Sequence, residues 1–215
     1  MSSRCYCENC HFLSVMCVCP WRPKLATPLQ ILVLQDPKER RHAKNTVSLL
    51  SLALPSVRCI VIENEQIMVH TLESLDRIRW RLVFPSDNAL SIESLPASDK
   101  RQIEGLIFLD ATWRKAKKWY FSYAILQSFQ SVCFSFAPAG EYRIRKSPST
   151  QALSTLEACA YAIEQVSNND MQPLRRFMQQ AQQWQWRQQP SEHQHNTHTV
   201  LTDSRDSNDG KTNRD

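Results

Sequence analysis

The sequence predicts an α/β layered domain built on a mainly parallel sheet, and three observations carry that prediction. The runs Ile31-Leu-Val-Leu34 and Leu106-Ile-Phe-Leu109 are apolar without alternation, the pattern of strands buried on both faces of a parallel sheet. Such runs alternate along the chain with stretches of helical character, the order expected when helices cover a sheet. The second run stops abruptly at Asp110-Ala-Thr-Trp113. Polar groups at the carboxyl end of a buried strand sit where open α/β proteins bind ligands, because the strand is rigid and the next turn is exposed.

In chain order, residues 4–19 come first and hold five of the eight cysteines. A reducing compartment disfavours a disulfide framework, and closely spaced thiols there hold a metal more often. Cys7-x-x-Cys10 and Cys17-x-Cys19 supply the four thiolates of a tetrahedral Zn²⁺ site with little chain strain, and closed coordination of this kind is structural. Cys5 is an alternative ligand, and a redox pair or free thiols is the competing reading. Cys59, Cys133 and Cys159 lie among apolar neighbours and read as core.

Residues 20–28 contain three prolines and read as a linker. Strands are predicted at 29–35, 58–62, 80–84, 105–109 and 131–136, and helices at 44–54, 114–128 and 154–166. Pro173 opens another helix that runs into the glutamine-rich stretch ending at Gln189. Beyond Pro190 apolar residues thin out, so disorder is expected there, with His193, His195 and His198 as solvated residues. The chain therefore divides into a cysteine segment with linker at 1–26, an α/β domain at 27–189, which the resemblance below makes the catalytic one, and a polar tail at 190–215.

The 215 residues suit one ordinary domain with a small appendage. No apolar run approaches the ~20 residues of a membrane span, and Arg4, Cys5 and Cys7 begin too early for a signal peptide, so a cytoplasmic protein is expected. The net charge of +5 is clustered at Lys38, Arg40, Arg41 and Lys44, at 114–118, and at Arg143, Arg145 and Lys146. Clusters of this kind suit a polyanion such as RNA. Three glycines leave no glycine-rich phosphate loop.

Asp110 has two equal readings, as the cap of the following helix or as a chemical group. Trp113 reads as a core anchor or a site residue, Trp119 as core, and the lysines after Trp113 as a solvated face or a binding one. Ser154-Thr155-Leu156-Glu157 matches a capping box, which makes Glu157 structural. The same turn would offer backbone N–H groups and the Thr155 hydroxyl to an anion. In Tyr142-Arg-Ile-Arg145 alternation puts the two arginines on one side, where one would neutralise a carboxylate or phosphate or make a surface salt bridge. Asn45-Thr46 reads as a helix cap, Phe84-Pro85 as a strand end and His70 as surface.

In their order these signals resemble one family. Cys7, Cys10, Cys17 and Cys19, then Asn45-Thr46, Phe84-Pro85, Asp110-x-Thr112-Trp113, Tyr142-x-x-Arg145 and Thr155-x-Glu157 resemble the DTW-domain family, the tRNA-uridine aminocarboxypropyltransferases. The resemblance runs from Arg4 to about residue 166, and its most specific parts are Asp-x-Thr-Trp and the cysteine pairs. Where relatives often carry His before Pro in the first strand turn, this chain has Asp36-Pro37.

The resemblance implies a SPOUT-like fold with a knotted cofactor region, an exception to unknotted topology. It implies that S-adenosylmethionine donates its 3-amino-3-carboxypropyl group to N3 of a uridine in tRNA, forming acp3U and methylthioadenosine. Asp110, Thr112 and Trp113 would be the catalytic group, with Asp110 serving either as base or as partner of the donor's amine. Arg145, with N–H groups near Ser154 and Thr155, would hold the donor carboxylate. Phe84, Pro85 and Leu153 would wall the adenine, and Trp113 would position a flipped uridine or pack beneath the site. Lys115, Lys117 and Lys118 should face RNA, since positive charge beside a sulfonium is unfavourable. A SPOUT-type RNA methyltransferase and a non-catalytic zinc-dependent RNA-binding protein are the alternatives.

Overall fold

The computed structural model describes residues 5–40, 42, 45–142 and 153–186. Its strands are β1 (Gln30–Gln35), β2 (Val57–Val61), β3 (Trp80–Val83), β4 (Leu90–Ser91), β5 (Gly105–Asp110) and β6 (Ser131–Cys133). They form one sheet in the order β2-β1-β5-β3-β6-β4, and every pairing in it is parallel. The helices are α1 (Pro37–Arg40), α2 (Thr46–Ala53), α3 (Glu65–Glu73), α4 (Ala97–Gln102), α5 (Trp113–Ser122), α6 (Ala124–Gln127), α7 (Thr155–Ser167) and α8 (Gln172–Trp186). No helix among the described residues is long and apolar enough to cross a membrane.

The unbroken apolar runs are explained by burial on both faces. In β1, Ile31 and Val33 join a core layer containing Leu50 of α2, Ile163 of α7 and Phe177 of α8. Leu32 and Leu34 face the opposite layer, with Met68 of α3, Trp119 of α5 and Leu126 of α6. These four β1 side chains are at most 2 % exposed, and each contributes roughly 1.5–3 kcal/mol by leaving water. β5 lies between β1 and β3 and is divided in the same way, Leu106 and Phe108 against Ile107. The helices after β1 and β5 thus cover opposite faces, which opens a crevice at the carboxyl ends of these adjacent strands.

The predicted elements recur with shifted ends. Asn45 caps α2 by accepting the Val47 N–H at 2.8 Å, so the helix begins at Thr46. The helix expected over 114–128 breaks at Tyr123, whose extended backbone separates α5 from α6. The strand expected to reach Phe136 ends at Cys133, because the Ser135 and Phe136 N–H groups turn to Glu93. The elements α1, α3, α4 and β4 carry too little apolar signal: α3 buries only Met68 and Leu72, and α4 buries nothing. Residues 190–215 and Arg41, Lys44, Arg143, Arg145 and Lys146 lie outside the described residues.

Two contacts fix the last helices. Asn168, at φ 56°, ends α7 in the left-handed conformation that Asn tolerates. Arg175 of α8 then grips Glu164 of α7 through two hydrogen bonds of 2.5 and 2.6 Å. The 20–28 stretch is also pinned, with Trp21 edge-on to Trp184 of α8 at 5.1 Å.

Gly105 opens β5 directly opposite Trp80 of β3. A Cβ there would lie 2.6 Å from the indole ring atoms, and Trp80 is only 5 % exposed, so the ring has no room to withdraw. Gly105→Ala is expected to cost about 1–3 kcal/mol through overpacking. Urea unfolding followed by tryptophan fluorescence should show a lower midpoint with an unchanged slope.

Candidate functional site

Asp110 ends β5 in register with Gln35 of β1. Its carboxylate joins three elements: Gln35 Nε2 donates to Oδ2 at 2.9 Å, and Thr155 Oγ1, at the start of α7, donates to Oδ1 at 2.6 Å. The Asp110 carbonyl accepts the Asp36 N–H at 2.9 Å, which draws the end of β1 to the same point. The cap of α5 is made by Thr112 instead, whose Oγ1 accepts the Lys115 N–H at 3.3 Å. Of the two readings of Asp110, the structure therefore discards capping of α5.

Beside this carboxylate lies a cavity of about 340 Å³ at the carboxyl ends of β3, β5 and β6. Phe84, Pro85, Trp113, Leu153 and Thr155, separated by up to 71 positions in sequence, meet on its wall. Asp110 stands at its edge, between the lining residues Leu109 and Ala111 and hydrogen-bonded to Thr155. Thr112 and Ser154 do not line it. Ser154 is instead engaged by Glu157, which accepts its N–H at 2.8 Å and its hydroxyl at 2.7 Å in a complete capping box. Arg145 lies outside the described residues.

Two carboxylates, the buried Glu157 and the half-buried Glu93, shape the loops around the cavity. Glu157, 5 % exposed, also accepts the N–H groups of Glu141 and Tyr142. Glu93 accepts the Ser135 and Phe136 N–H groups, each at 3.0 Å, the Ser91 hydroxyl at 2.6 Å and the Tyr161 hydroxyl at 2.9 Å. Burial alone would raise its pKa, but the donors from Ser91, Phe136, Ser135 and its own backbone outweigh burial and hold it at about 2. Burial and the bond to Glu93 push the Tyr161 phenol up to about 12. Glu93 thus secures the wall segment Phe134-Ser135, and nothing in the local sequence marks it. Gln35 had a signal, since it ends an apolar run as Asp110 does.

The cations surround this edge without entering the cavity wall. Arg114, Lys117 and Lys118 of α5 and Lys38 and Arg40 of α1 are exposed. Lys115 is drawn to Asp36, with Nζ 3.6 Å from Oδ2, and lies over the Trp119 ring. Trp119 is buried, as predicted, and Trp113 is 52 % exposed.

At the other end of the chain, the sulfurs of Cys7, Cys10, Cys17 and Cys19 all lie within 4.8 Å of one another. Three of the separations are 3.5, 3.8 and 3.8 Å. A tetrahedral ion with metal–sulfur bonds of ~2.3 Å needs edges of about 3.8 Å, so these four cysteines could bind a metal ion. Cys5 is exposed and is not part of the group. The turn after Cys10 places His11 at φ 59°, closed by the His11 N–H on the Cys7 carbonyl at 2.9 Å. The Cys10 and Asn9 N–H groups draw the Cys7 thiol down to about 6, whereas burial pushes Cys19 up to about 12. Cys10 and Val18 are buried in the same core layer as α7 and α8, so a closed site here would brace the fold.

The fold and site define a parallel α/β domain with a cavity at the carboxyl ends of its strands and a cysteine cluster packed on the same core. The chain belongs to the DTW-domain family, whose model matches residues 4–186. It is 30 % identical over 164 residues to tRNA-uridine aminocarboxypropyltransferase 2 of Drosophila melanogaster, covering 73 % of this chain and 64 % of that one. The proteins of the same name in Mus musculus and Macaca fascicularis are 27 % and 26 % identical over 172 residues, covering 76 % of this chain and 57 % of theirs. The chain therefore spans less than two thirds of the length of these relatives. No solved structure matches it.

Cys10→Ser should lose most of the bound metal, measured by elemental analysis of the purified protein, while Cys5→Ser keeps one equivalent per chain. Glu93 has a folded pKa of about 2 against an ordinary 4.5, so the stability it contributes is complete above pH 4.5 and declines as pH falls toward 2. Acid titration should show Glu93→Gln less stable at neutral pH and with a shallower decline across that window.

Proposed function

We propose that this protein transfers the 3-amino-3-carboxypropyl group of S-adenosylmethionine to N3 of a uridine in tRNA, forming acp3U and methylthioadenosine. The observation that carries the reading is the convergence of Phe84, Pro85, Trp113, Leu153 and Thr155 on one cavity, with Asp110 tied to Thr155 at its edge. The names of the relatives supply the reaction class. A cavity of about 340 Å³ is within the ~300–1,000 Å³ range of small-molecule sites.

In the transfer, a bond forms between uridine N3 and the γ-carbon of the donor, and the bond from that carbon to sulfur breaks. The bonding pair returns to sulfur, which becomes the neutral thioether of methylthioadenosine, and the N3 proton leaves to a base or to water. The protein must present the γ-carbon in place of the methyl, which demands a grip on the amino-acid end of the donor. Asp110 supplies the anion for the amine, its two carboxylate oxygens oriented by Gln35 and Thr155. Phe84, Pro85 and Leu153 wall the adenine, and Arg145 is assigned the donor carboxylate. With Ser154 committed to Glu157, the Thr155 end of α7 is left as the N–H contribution. The exposed cations of α1 and α5 bind the tRNA backbone.

Zn²⁺ on Cys7, Cys10, Cys17 and Cys19 is the metal of this reading, in a structural role. The reading also carries a SPOUT-like fold with a knotted cofactor region. What supports the class of fold is the wholly parallel sheet with helices on both faces.

Asp110→Asn, which keeps the shape of the side chain and one acceptor, should reduce transfer about a hundredfold and lower the melting temperature less than Asp110→Ala, which removes the link between β1, β5 and α7. The check is mass analysis of nucleosides from tRNA incubated with the protein and S-adenosylmethionine. A methylated uridine would favour the methyltransferase alternative, and unchanged aminocarboxypropyl transfer by Asp110→Asn would remove Asp110 from the mechanism.

A further inference from the structure

A second, open cavity of about 730 Å³ adjoins the first and shares Phe84, Pro85 and Trp113 with it. One side is a face of α5 on which Trp113, Lys117 and Phe121 recur at helical spacing, flanked by Arg114 and Tyr120. Its aromatic residues are displayed rather than packed away: Trp113 is 52 % and Phe121 62 % exposed. They are also held in place. Tyr120 stacks on Phe84 at 4.7 Å and meets Phe121 edge-on at 5.3 Å, and Gln127 Nε2 donates to the Tyr120 carbonyl at 2.9 Å. The opposite side is the turn carrying Asp87, fixed by Gln130 Nε2 on the Asn88 carbonyl at 3.0 Å.

The transfer step leaves Tyr120 and Phe121 of this face without a role, and a core would not leave Trp113 and Phe121 exposed on either side of Lys117. Aromatic planes interleaved with positive charge form the surface on which unpaired bases stack while the backbone phosphates are neutralised. Charge divides the cavity, with Arg114 and Lys117 on the helix side and Asp87 on the turn side. A phosphate is attracted to the first and repelled by the second, whereas a base edge bearing an amino group suits the second.

We propose that this cavity binds the nucleotide next to the modified uridine, its base stacked against Phe121 and Trp113 and its phosphate on Arg114 or Lys117. The assignment rests on the reading of the first cavity as the transfer site. Trp113, common to both walls, then separates the uridine that reacts from the neighbour that anchors the strand. The substrate must have this segment unpaired, because both bases leave their stack to enter.

The test measures binding of a single-stranded RNA octamer with one central uridine, in parallel with transfer to tRNA. Phe121→Ala should weaken octamer binding about tenfold, the loss of one base–aromatic stack, and Phe121→Trp should restore it. An octamer with an abasic site beside the uridine should bind wild type equally weakly, with Phe121→Ala adding nothing further. In the transfer assay the variant should raise the half-saturating tRNA concentration by a similar factor and leave that of S-adenosylmethionine unchanged. Phe121 is exposed, so its melting temperature should also be unchanged. Octamer affinity equal to wild type, or a parallel loss of donor binding, overturns the proposal. Wild-type protein that transfers nothing to tRNA overturns the reading of the first cavity instead, and the octamer measurement still decides the second.

Discussion

The Asp110 carboxylate accepts a hydrogen bond from Gln35 on one oxygen and from Thr155 on the other, and most of the site depends on that pair of contacts. Gln35 ends β1 and Thr155 begins α7, so one side chain joins two neighbouring strands to a helix that follows β6 in the chain. The cavity exists because these ends are held at a fixed separation. A half-buried carboxylate is costly without donors, and the same donors that relieve the cost orient the group for a ligand.

Glu93 and Glu157 repeat this device on the cavity's loops. Each carboxylate gathers backbone N–H groups that no strand or helix satisfies, from Ser135 and Phe136 in one case and from Glu141 and Tyr142 in the other. Loop backbone near an apolar cavity needs partners that water cannot supply, and a carboxylate accepts several at once. Glu93 and Glu157 thus turn toward the loops, while Arg114, Lys117, Lys118, Lys38 and Arg40 are exposed and Lys115 bends back to Asp36. Such a separation of charge would suit the cationic donor and the anionic nucleic acid of the proposed reaction.

The cysteine segment is tied to this arrangement through the core. Cys10 and Val18 are buried with residues of α7 and α8, and Trp21 meets Trp184. Positions that read as an appendage and a linker are parts of one packed layer, because the prolines limit the backbone without preventing Trp21 and Leu25 from docking.

Strands buried on both faces were legible because a short, unbroken apolar run that ends at polar residues fits few structures besides a central strand, and β1 and β5 fall where those runs do. Metal-ligand spacing, the Ser154 capping box and the polar stop at Asp110 were legible for the same reason: each depends on residues close in sequence. Short elements such as α3 and α4, with two buried residues or none, leave no periodic signal. Gln35, Glu93 and the exposed aromatic face of α5 acquire meaning only from partners 42 to 75 positions away or from a neighbouring cavity. Whether Asp110 or Thr112 caps α5 was likewise decided by the turn's three-dimensional course. The sequence alone determined the layered α/β class, the cysteine-rich segment and the polar strand end beside which the cavity lies, since local pattern and burial suffice for these, while the structure singled out Cys7, Cys10, Cys17 and Cys19 from Cys5. The tertiary structure alone decided which groups meet there, because hydrogen bonds between distant residues depend on strand order and register, which no local pattern encodes.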